Sequence, residues 1–305
     1  MTPAPFVLPP GSGLTTRPLV VADAGAVVAL CRATERESLP EPMTELADVL
    51  GTWRQPSIDL ARHSVAVLDE GRLVAYALLA GRGHAEGVVD PAHRDEGLGT
   101  ALLAWLRGTA AAHEVPHVGQ TVPIDSPAEA FLRAAGAHVT YEAWALELPV
   151  DRDVAHQPLP DGYEIGLARD EELTRVHRVV DDAFSAWPDR EPVDYADWHA
   201  EFIEGDDAAA WQRQVVRDRE GVVVGAAMAT ASEDGMVWVN QLAVQADQRG
   251  LGLGRALLAA AFTDGRRRGL HRAGLATDSR TGALPLYEHV GMEVVMTFRH
   301  LVIAV

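Results

Sequence analysis

The feature that most constrains this chain is a glycine-rich turn, from Gly250 to Gly254, which lies between an apolar run and an amphipathic run. The residues before it, Met236–Val244, are β-branched and aromatic and are bounded by polar residues, a pattern typical of a buried strand. The residues after it carry apolar side chains at helical spacing until Gly269. The sequence therefore predicts a strand, a turn and a helix in that order.

Alternate glycines let such a turn bend until successive backbone N–H groups point into one concavity, and the helix N-terminus adds partial positive charge there. This arrangement predicts a pyrophosphate-binding loop. A P-loop is excluded because it requires a lysine, and this chain contains none. A dinucleotide fingerprint is excluded because the glycines follow the spacing GxGxG, with Arg255 next, and not GxGxxG.

Length and composition narrow the class of protein further. The chain has 305 residues, enough for two ordinary domains, and its 48% hydrophobic and 23% charged residues are typical of a soluble globular protein. We expect a cytoplasmic protein with no membrane segment, and the formal charge of -18 argues against nucleic acid as a partner. Cys31 is the only cysteine, which excludes an internal disulfide. We expect it to be a core residue and not a catalytic thiol.

The glycine turn appears twice, because Arg94, Gly97 and Gly99 repeat the spacing of Arg249, Gly252 and Gly254. The same order of elements is predicted around each copy. In the first half we expect strands at 14–19, 63–68, 73–79, 86–89, 117–121 and 139–148, with helices at 22–36, 97–112 and from 127 to about 135. In the second half we expect strands at 163–167, 213–217, 222–230, 236–244, 273–277 and 293–305, with helices at 170–184, 195–203, from about 254 to 268, and at 282–289. The chain is therefore predicted to contain a tail (residues 1–12), a first domain (13–149), a linker rich in Pro and Asp (150–162) and a second domain (163–305).

The pattern Arg/Gln-x-x-Gly-x-Gly/Ala, met by Arg249, Gly252 and Gly254, resembles motif A of the GNAT superfamily of N-acyltransferases. In that family the motif holds the pyrophosphate of acetyl-CoA. The predicted element order also matches the GNAT fold, so the resemblance covers nearly all residues from 13 to 305, and the tandem arrangement is similar to that of the mycothiol synthases. It implies a mixed α/β fold class, with two tandem GNAT domains.

The resemblance implies an acetyl-CoA site in the second copy. The strand before the loop would splay from its neighbour and pair with the pantetheine arm, and a backbone N–H of Ala243 or Val244 would stabilise the oxyanion. The cofactor-binding residues implied in this way are Leu242, Ala243, Val244, Arg249, Gly250, Leu251, Gly252, Leu253, Gly254 and Arg255.

The resemblance also implies a general acid. Residues 283–292 fit the family pattern Ala-x-x-Leu-Tyr-x-x-x-Gly-Phe/Met, in which Tyr287 would protonate the departing thiolate. The alternative is that Tyr287 is only a packing aromatic. Arg280 stands where the family often has an asparagine, so that it either contacts a phosphate of coenzyme A or is solvated.

No general base is assigned from the sequence. Asn240 and Gln241 stand on the strand where the family often has a glutamate, and neither can accept a proton. The nearest carboxylates are expected to be turn or capping residues: Glu233, Asp234 and Asp278.

The resemblance also implies that the acceptor end lies between the first two helices of the second half, in residues 187–204. Its aromatic and acidic side chains suit a cationic amine. The alternative is that Tyr195, Trp198 and Phe202 form an ordinary core stripe.

The first copy departs from the family pattern. Asp95 and Glu96 replace Gly250 and Leu251, and Leu132 stands at the position of Tyr287. We expect a catalytically silent unit, although Glu86 lies where a base is expected. A weak second acetyl-CoA site would comprise Val88, Val89, Arg94, Gly97, Gly99 and Thr100.

The resemblance thus implies an acetyl-CoA-dependent N-acetyltransferase that acts on a primary amine of a small molecule, by direct attack in a ternary complex. A protein N-terminal or side-chain acetyltransferase and a non-catalytic acyl-CoA-binding module are the alternatives. We expect no metal, and either a monomer or a homodimer.

Overall fold

The computed structural model describes residues 5–81, 83–154, 158–185, 187, 190, 192–205 and 208–305. The chain forms two compact units. Unit 1 comprises Met1–Glu142 together with Phe298–Val305, and unit 2 comprises Ala143–Thr297. Each unit is a mixed β-sheet with helices packed on it, which confirms the predicted α/β fold class.

Unit 1 contains five helices among its described residues, and its elements follow the predicted order with two additions. They are β1 (Thr15–Arg17), α1 (Ala24–Glu35), α2 (Leu46–Arg54), α3 (Leu60–His63), β2 (Ser64–Asp69), β3 (Arg72–Ala80), β4 (His84–Val89), α4 (Leu98–Ala112), β5 (His117–Pro123), α5 (Pro127–Ala134) and the start of β6 (His138–Leu148). The prediction has no element between residues 36 and 63, where the structure forms α2 and α3. Pro40, Pro42, Gly51 and Pro56 interrupt the hydrophobic period in this segment, so the sequence signal is weak.

Unit 2 repeats the order. Its elements are β7 (Glu164–Leu167), α6 (Leu173–Phe184), α7 (Tyr195–Phe202), β8 (Arg213–Arg217), β9 (Val223–Ala231), β10 (Met236–Val244), α8 (Leu253–Arg267), β11 (Arg272–Asp278), α9 (Leu284–His289) and β12 (Glu293–Ala304). The strand predicted at 236–244 and the strand predicted at 213–217 have the bounds that were expected.

Alternating side chains give the sheet of unit 2 two apolar faces. Val216 faces a cluster that includes Leu253, Leu257 and Phe262 of α8. Its neighbour Val215 faces the opposite cluster, which includes residues of α6 and α7. The strand and helix on either side of the glycine turn are therefore anchored in cores, and the turn between them is held in place.

The two compact units do not follow the chain linearly. Residues Phe298–Ala304 of β12 pair antiparallel with β5 and belong to unit 1. Residues Ala143–Leu148 of β6 pair antiparallel with β11 and belong to unit 2. The domain boundaries predicted from linker composition describe the repeat in the sequence and stay a prediction. Local composition contains no information about strand pairing between residues that are far apart in the chain. In the part of the chain that the structure describes, no helix has the length and apolar character needed to cross a membrane.

Candidate active site

The turn between β10 and α8, residues 249–255, is here called the second loop. Gly250 has a φ of 81°, and Gly252, the N-cap of α8, has a φ of 78°. Both angles lie in the left-handed region that favours glycine, and no side chain caps the helix. A Cβ added to Gly250 would meet nothing within 4 Å, and one added to Gly254 would meet only Val244, at 3.9 Å. The backbone at these two glycines is therefore accessible to a ligand.

Two arginines flank the second loop. Arg249 donates from Nε to the carbonyl of Val244 at 3.2 Å, which fixes its side chain beside the loop. The Nε of Arg255 is buried without a hydrogen-bond partner in the described chain. Neither guanidinium pairs with a carboxylate among the described residues. An uncapped helix start with two uncompensated cations can hold an anion such as a diphosphate.

The strand that leads into the second loop separates from one neighbour partway along. β10 and β11 are parallel partners only from Met236 to Val239, and a β-bulge follows between Val239 and Gln241. From Gln241 to Val244, β10 pairs with β9 alone in the described structure. One backbone edge of Leu242, Ala243 and Val244 is thus left without a strand partner, as an extended ligand would require.

The predicted cofactor-binding residues lie together around this opening. Leu251 is exposed, whereas Leu253 is buried in the core under α8 and can offer only its backbone. Leu242 and Val244 pack against the same core, while Ala243 faces α6 and α7. Their roles in binding stay a prediction.

Tyr287 lies in α9 within the core cluster of α8, and 8% of it is exposed. Burial raises the pKa of its phenol to about 12, so the hydroxyl keeps its proton at neutral pH. No described residue forms a hydrogen bond with that hydroxyl. Tyr287 therefore packs like a core aromatic and also keeps an unpaired proton donor.

Two of the three carboxylates that lie nearest in the sequence are already paired. Asp278 accepts from the backbone N–H of Arg280 at 2.9 Å and forms an ion pair with its guanidinium at 2.7 Å. Asp234 pairs with Arg272 at 2.5 Å. Both are turn or ion-pair residues, as expected, and Arg280 is held by Asp278 instead of being freely solvated.

The acceptor region contains one side-chain contact that the sequence does not reveal. Trp198 is 1% exposed and lies in the core under α6 and α7, so the interpretation of a core stripe is correct for it; Tyr195 and Phe202 pack at its edge. Its indole N–H donates to Oε1 of Gln241 at 2.9 Å. Three residues of the predicted acceptor region, Pro188, Asp189 and Glu191, lie outside the described residues.

The corresponding turn of unit 1, residues 94–100, is here called the first loop, and its backbone closely matches that of the second. Gly97 caps α4 with a φ of 85°, and α4 and α8 each have 15 residues. Asp95, at the position of Gly250, has a φ of 62°. A residue with a Cβ pays roughly 1 kcal/mol for this conformation. The first copy therefore keeps the shape of the loop without its glycine.

Side chains of unit 1 occupy the surroundings of the first loop. Arg94 forms an ion pair with Glu37 at 2.6 Å. A Cβ added to Gly99 would lie 3.4 Å from the ring of Phe131. β4 pairs with β5 only at His84, and Gln120 of β5 spans the gap beyond it by donating from Nε2 to the carbonyl of Gly87 at 3.2 Å.

The remaining predicted residues of the first copy show less sign of a site. Val88 and Val89 pair with β3, and Thr100 is exposed in the first turn of α4. Glu86 accepts from the hydroxyl of Tyr76 at 3.0 Å, and Cys31 lies 3.2 Å from the same hydroxyl. Burial raises the pKa of the Cys31 thiol to about 12, and the residue is part of the core, as expected.

Comparison with known proteins identifies a family. The model of the family "Acetyltransferase (GNAT) family" matches residues 18–137 and again residues 173–292. The chain is 27% identical over 289 residues to a mycothiol acetyltransferase of Thermobispora bispora, a match that covers 88% of this chain and 92% of that protein.

Solved structures give the same result. A GCN5-related N-acetyltransferase from Sphaerobacter thermophilus superimposes with a TM-score of 0.76 at 25% identity, covering 98% of this chain and 97% of that one. A tandem GNAT protein from the clavulanic acid biosynthesis pathway shares the fold, with a TM-score of 0.72 at 19% identity and coverage of 95% and 98%.

Proposed function

The chain belongs to the acetyltransferase (GNAT) family and is an N-acetyltransferase, and we propose that its second half transfers an acetyl group from acetyl-CoA to a primary amine of a small molecule. The observation that carries this proposal is the second loop, where α8 starts without a side-chain cap. Arg249 and Arg255 of this loop lack carboxylate partners in the described chain. The same unit contains the phenol of Tyr287, which has no hydrogen-bond partner among the described residues.

The residues of the second loop fit the diphosphate of acetyl-CoA. Backbone N–H groups from Gly250 to Arg255 would meet its oxygens, and Arg249 and Arg255 would offset its charge. The free edge of Leu242, Ala243 and Val244 would pair with the pantetheine arm. Acetyl-CoA, when bound, supplies the activated thioester.

The chemistry then needs an oxyanion donor and a proton donor. A backbone N–H of Ala243 or Val244 would face the carbonyl oxygen while the amine attacks directly, without an acyl-enzyme. Tyr287 would give its proton to the sulfur as the carbon–sulfur bond breaks, the attacking nitrogen would release its proton to water, and water would reprotonate the phenol. The phenol suits this task because burial raises its pKa to about 12 and keeps it protonated at neutral pH.

We assign one strong acetyl-CoA site to the chain and leave at most a weak one in unit 1. The ion pair between Arg94 and Glu37, the ring of Phe131 at Gly99 and the hydrogen bond from Gln120 to Gly87 support this assignment. The ion pair and the hydrogen bond use polar groups that the cofactor would need, and the ring fills space beside the loop.

A small-molecule acceptor is favoured because the relative that matches 88% of the chain is a mycothiol acetyltransferase. Calorimetric titration with acetyl-CoA, followed by coenzyme A release with a panel of small amines and of peptides with free N-termini, tests the proposal. Turnover of the small amines is the expected result. Turnover of peptides alone would indicate a protein acetyltransferase, and binding with no turnover would indicate a binding module.

A further inference from the structure

A glutamine stands at the start of the separated part of β10, on the side that faces α6 and α7. Gln241 follows the β-bulge directly and pairs with Met228 of β9 on its other edge. Its side chain reaches Trp198 of α7. Ala243, two residues further along the strand, faces the same core cluster as Trp198. Gln241 is therefore on the same face of the sheet as the acceptor region, next to the proposed thioester site.

The orientation of the Gln241 carboxamide is fixed by chemistry. An indole N–H can only donate a hydrogen bond, so the carboxamide must turn its oxygen toward Trp198. The distance from Nε1 to Oε1 is 2.9 Å. The Nε2 group, with its two N–H donors, must then point away from the indole.

Trp198 is itself held rigidly. It is almost fully buried, and its ring contacts His177 at 5.4 Å and Phe202 at 6.1 Å between centroids. No described residue forms a hydrogen bond with Nε2 of Gln241, and the side chain is only half-buried. Two oriented donors are thus available without a protein acceptor, which is a costly state unless water or a ligand satisfies them.

We infer that Gln241 recognises an oxygen atom of the acceptor, a carbonyl or hydroxyl group close to the reacting amine, and that Trp198 is the positioning residue that aims it. This inference rests on the proposed function and names the class of acceptor: an amine with a neighbouring oxygen, such as an aminoacyl amide or an amino alcohol. N–H donors do not stabilise an alkylammonium group, so a simple alkylamine gains nothing from Gln241.

Three amines of similar size test this inference: glycinamide carries a carbonyl, ethanolamine a hydroxyl, and ethylamine neither. Coenzyme A release is measured with each at saturating acetyl-CoA. We expect kcat/KM, expressed per concentration of neutral amine, for at least one of the first two to exceed that for ethylamine by about tenfold, the upper end of what one neutral hydrogen bond contributes. The preferred amine identifies whether the oxygen is a carbonyl or a hydroxyl.

Two variants locate the preference. Gln241→Met removes both donors. The ratio of kcat/KM for the preferred oxygen-bearing amine to that for ethylamine should fall to about one, mainly because KM for the oxygen-bearing amine rises. The acetyl-CoA dissociation constant should stay unchanged. Trp198→Phe should lower the same ratio, and by less than Gln241→Met does, because the carboxamide stays present but is no longer held; general loosening of the core would instead lower kcat/KM for all three amines alike. Asn240→Ala is the matched control, because the amide of Asn240 already donates to Thr230 at 3.2 Å.

An unchanged ratio in Gln241→Met would overturn the inference. So would a wild-type chain that binds acetyl-CoA and treats the three amines alike, or acetylates none of them. A chain that binds no acetyl-CoA contradicts the proposed function instead, so the two failures are distinguishable.

Discussion

The first and second loops have nearly the same backbone and very different surroundings. Each follows a short 3-10 turn, has a left-handed glycine as N-cap and starts a helix of 15 residues. In unit 2 the backbone at Gly250 is unobstructed, whereas in unit 1 Phe131 lies against Gly99 and Glu37 pairs with the loop arginine. The flanking strand and helix impose the backbone shape of each loop. A repeated loop can therefore keep that shape even where side chains fill the space in which a ligand would bind.

The largest expected effect comes from the phenol of Tyr287, which unit 1 replaces with Leu132. Tyr287→Phe removes the proposed proton donor, and we expect kcat to fall about hundredfold, the scale of general acid catalysis, while acetyl-CoA still binds. Steady-state kinetics of coenzyme A release measure this. Leu132→Phe, at the equivalent position of unit 1, is the control and should leave kcat unchanged; full activity in Tyr287→Phe would remove the distinction between the copies.

The loop arginines should differ next most strongly. Arg249→Ala should weaken acetyl-CoA binding about tenfold, because a charge-assisted contact to phosphate is lost. Arg94→Ala should leave the affinity unchanged, since Glu37 already neutralises that guanidinium. Titration calorimetry on both variants provides the comparison. Equal losses in the two would show that the first loop also holds the cosubstrate.

A smaller effect is expected from making the second copy resemble the first at one exposed side chain. Leu286 is 43% exposed and aligns with Phe131. Leu286→Phe should place a ring near Gly254 and weaken acetyl-CoA binding about threefold to fivefold, on the scale of one displaced backbone contact. Leu286→Met is the matched control for volume. An affinity for Leu286→Phe equal to that of the control would mean that Phe131 does not obstruct the first loop.

Among the substitutions in the two loops, the smallest effect concerns stability alone. Asp95 holds a φ of 62° where unit 2 has a glycine, so Asp95→Gly should relieve strain and raise the free energy of unfolding by about 0.5–1 kcal/mol, partly offset by the greater entropy of the unfolded chain. Gly250→Asp should lower it by a similar amount. Urea unfolding of both variants measures the pair. A loss of stability in Asp95→Gly would contradict the strained geometry.

The pH dependence of stability separates Tyr287 from an exposed tyrosine. Its folded-state pKa is raised to about 12, above the value of about 10 in an unfolded chain. The stabilisation is therefore complete below pH 10 and is lost as the pH rises from 10 toward 12. We expect wild-type unfolding to become easier across this window relative to Tyr287→Phe, as measured by denaturant midpoints at pH 9.5 and 11. Parallel midpoints would show that the phenol is not buried.

The sequence predicted what depends on local pattern. The glycine spacing and the apolar runs predicted β10, the second loop and α8, and the motif around Tyr287 predicted α9, with Tyr287 as a general acid or a packing aromatic. The donation from Trp198 to Gln241 and the donation from Gln120 to Gly87 could not be predicted, because each joins residues far apart in the chain. The helices α2 and α3 were missed because they are short and are bordered by prolines, and because α2 contains Gly51.

The shared last strand has a consequence for biosynthesis. Residues 298–304 of β12 pair with β5 of unit 1, yet they leave the ribosome after every residue of unit 2. Until then β5 lacks its β12 partner and exposes an unpaired edge, which is a site for mispairing. Most of unit 1 is thus synthesised first, but its sheet cannot be completed until the last residues of the chain emerge. Nascent chains should therefore depend on residues 298–304 for protection from aggregation.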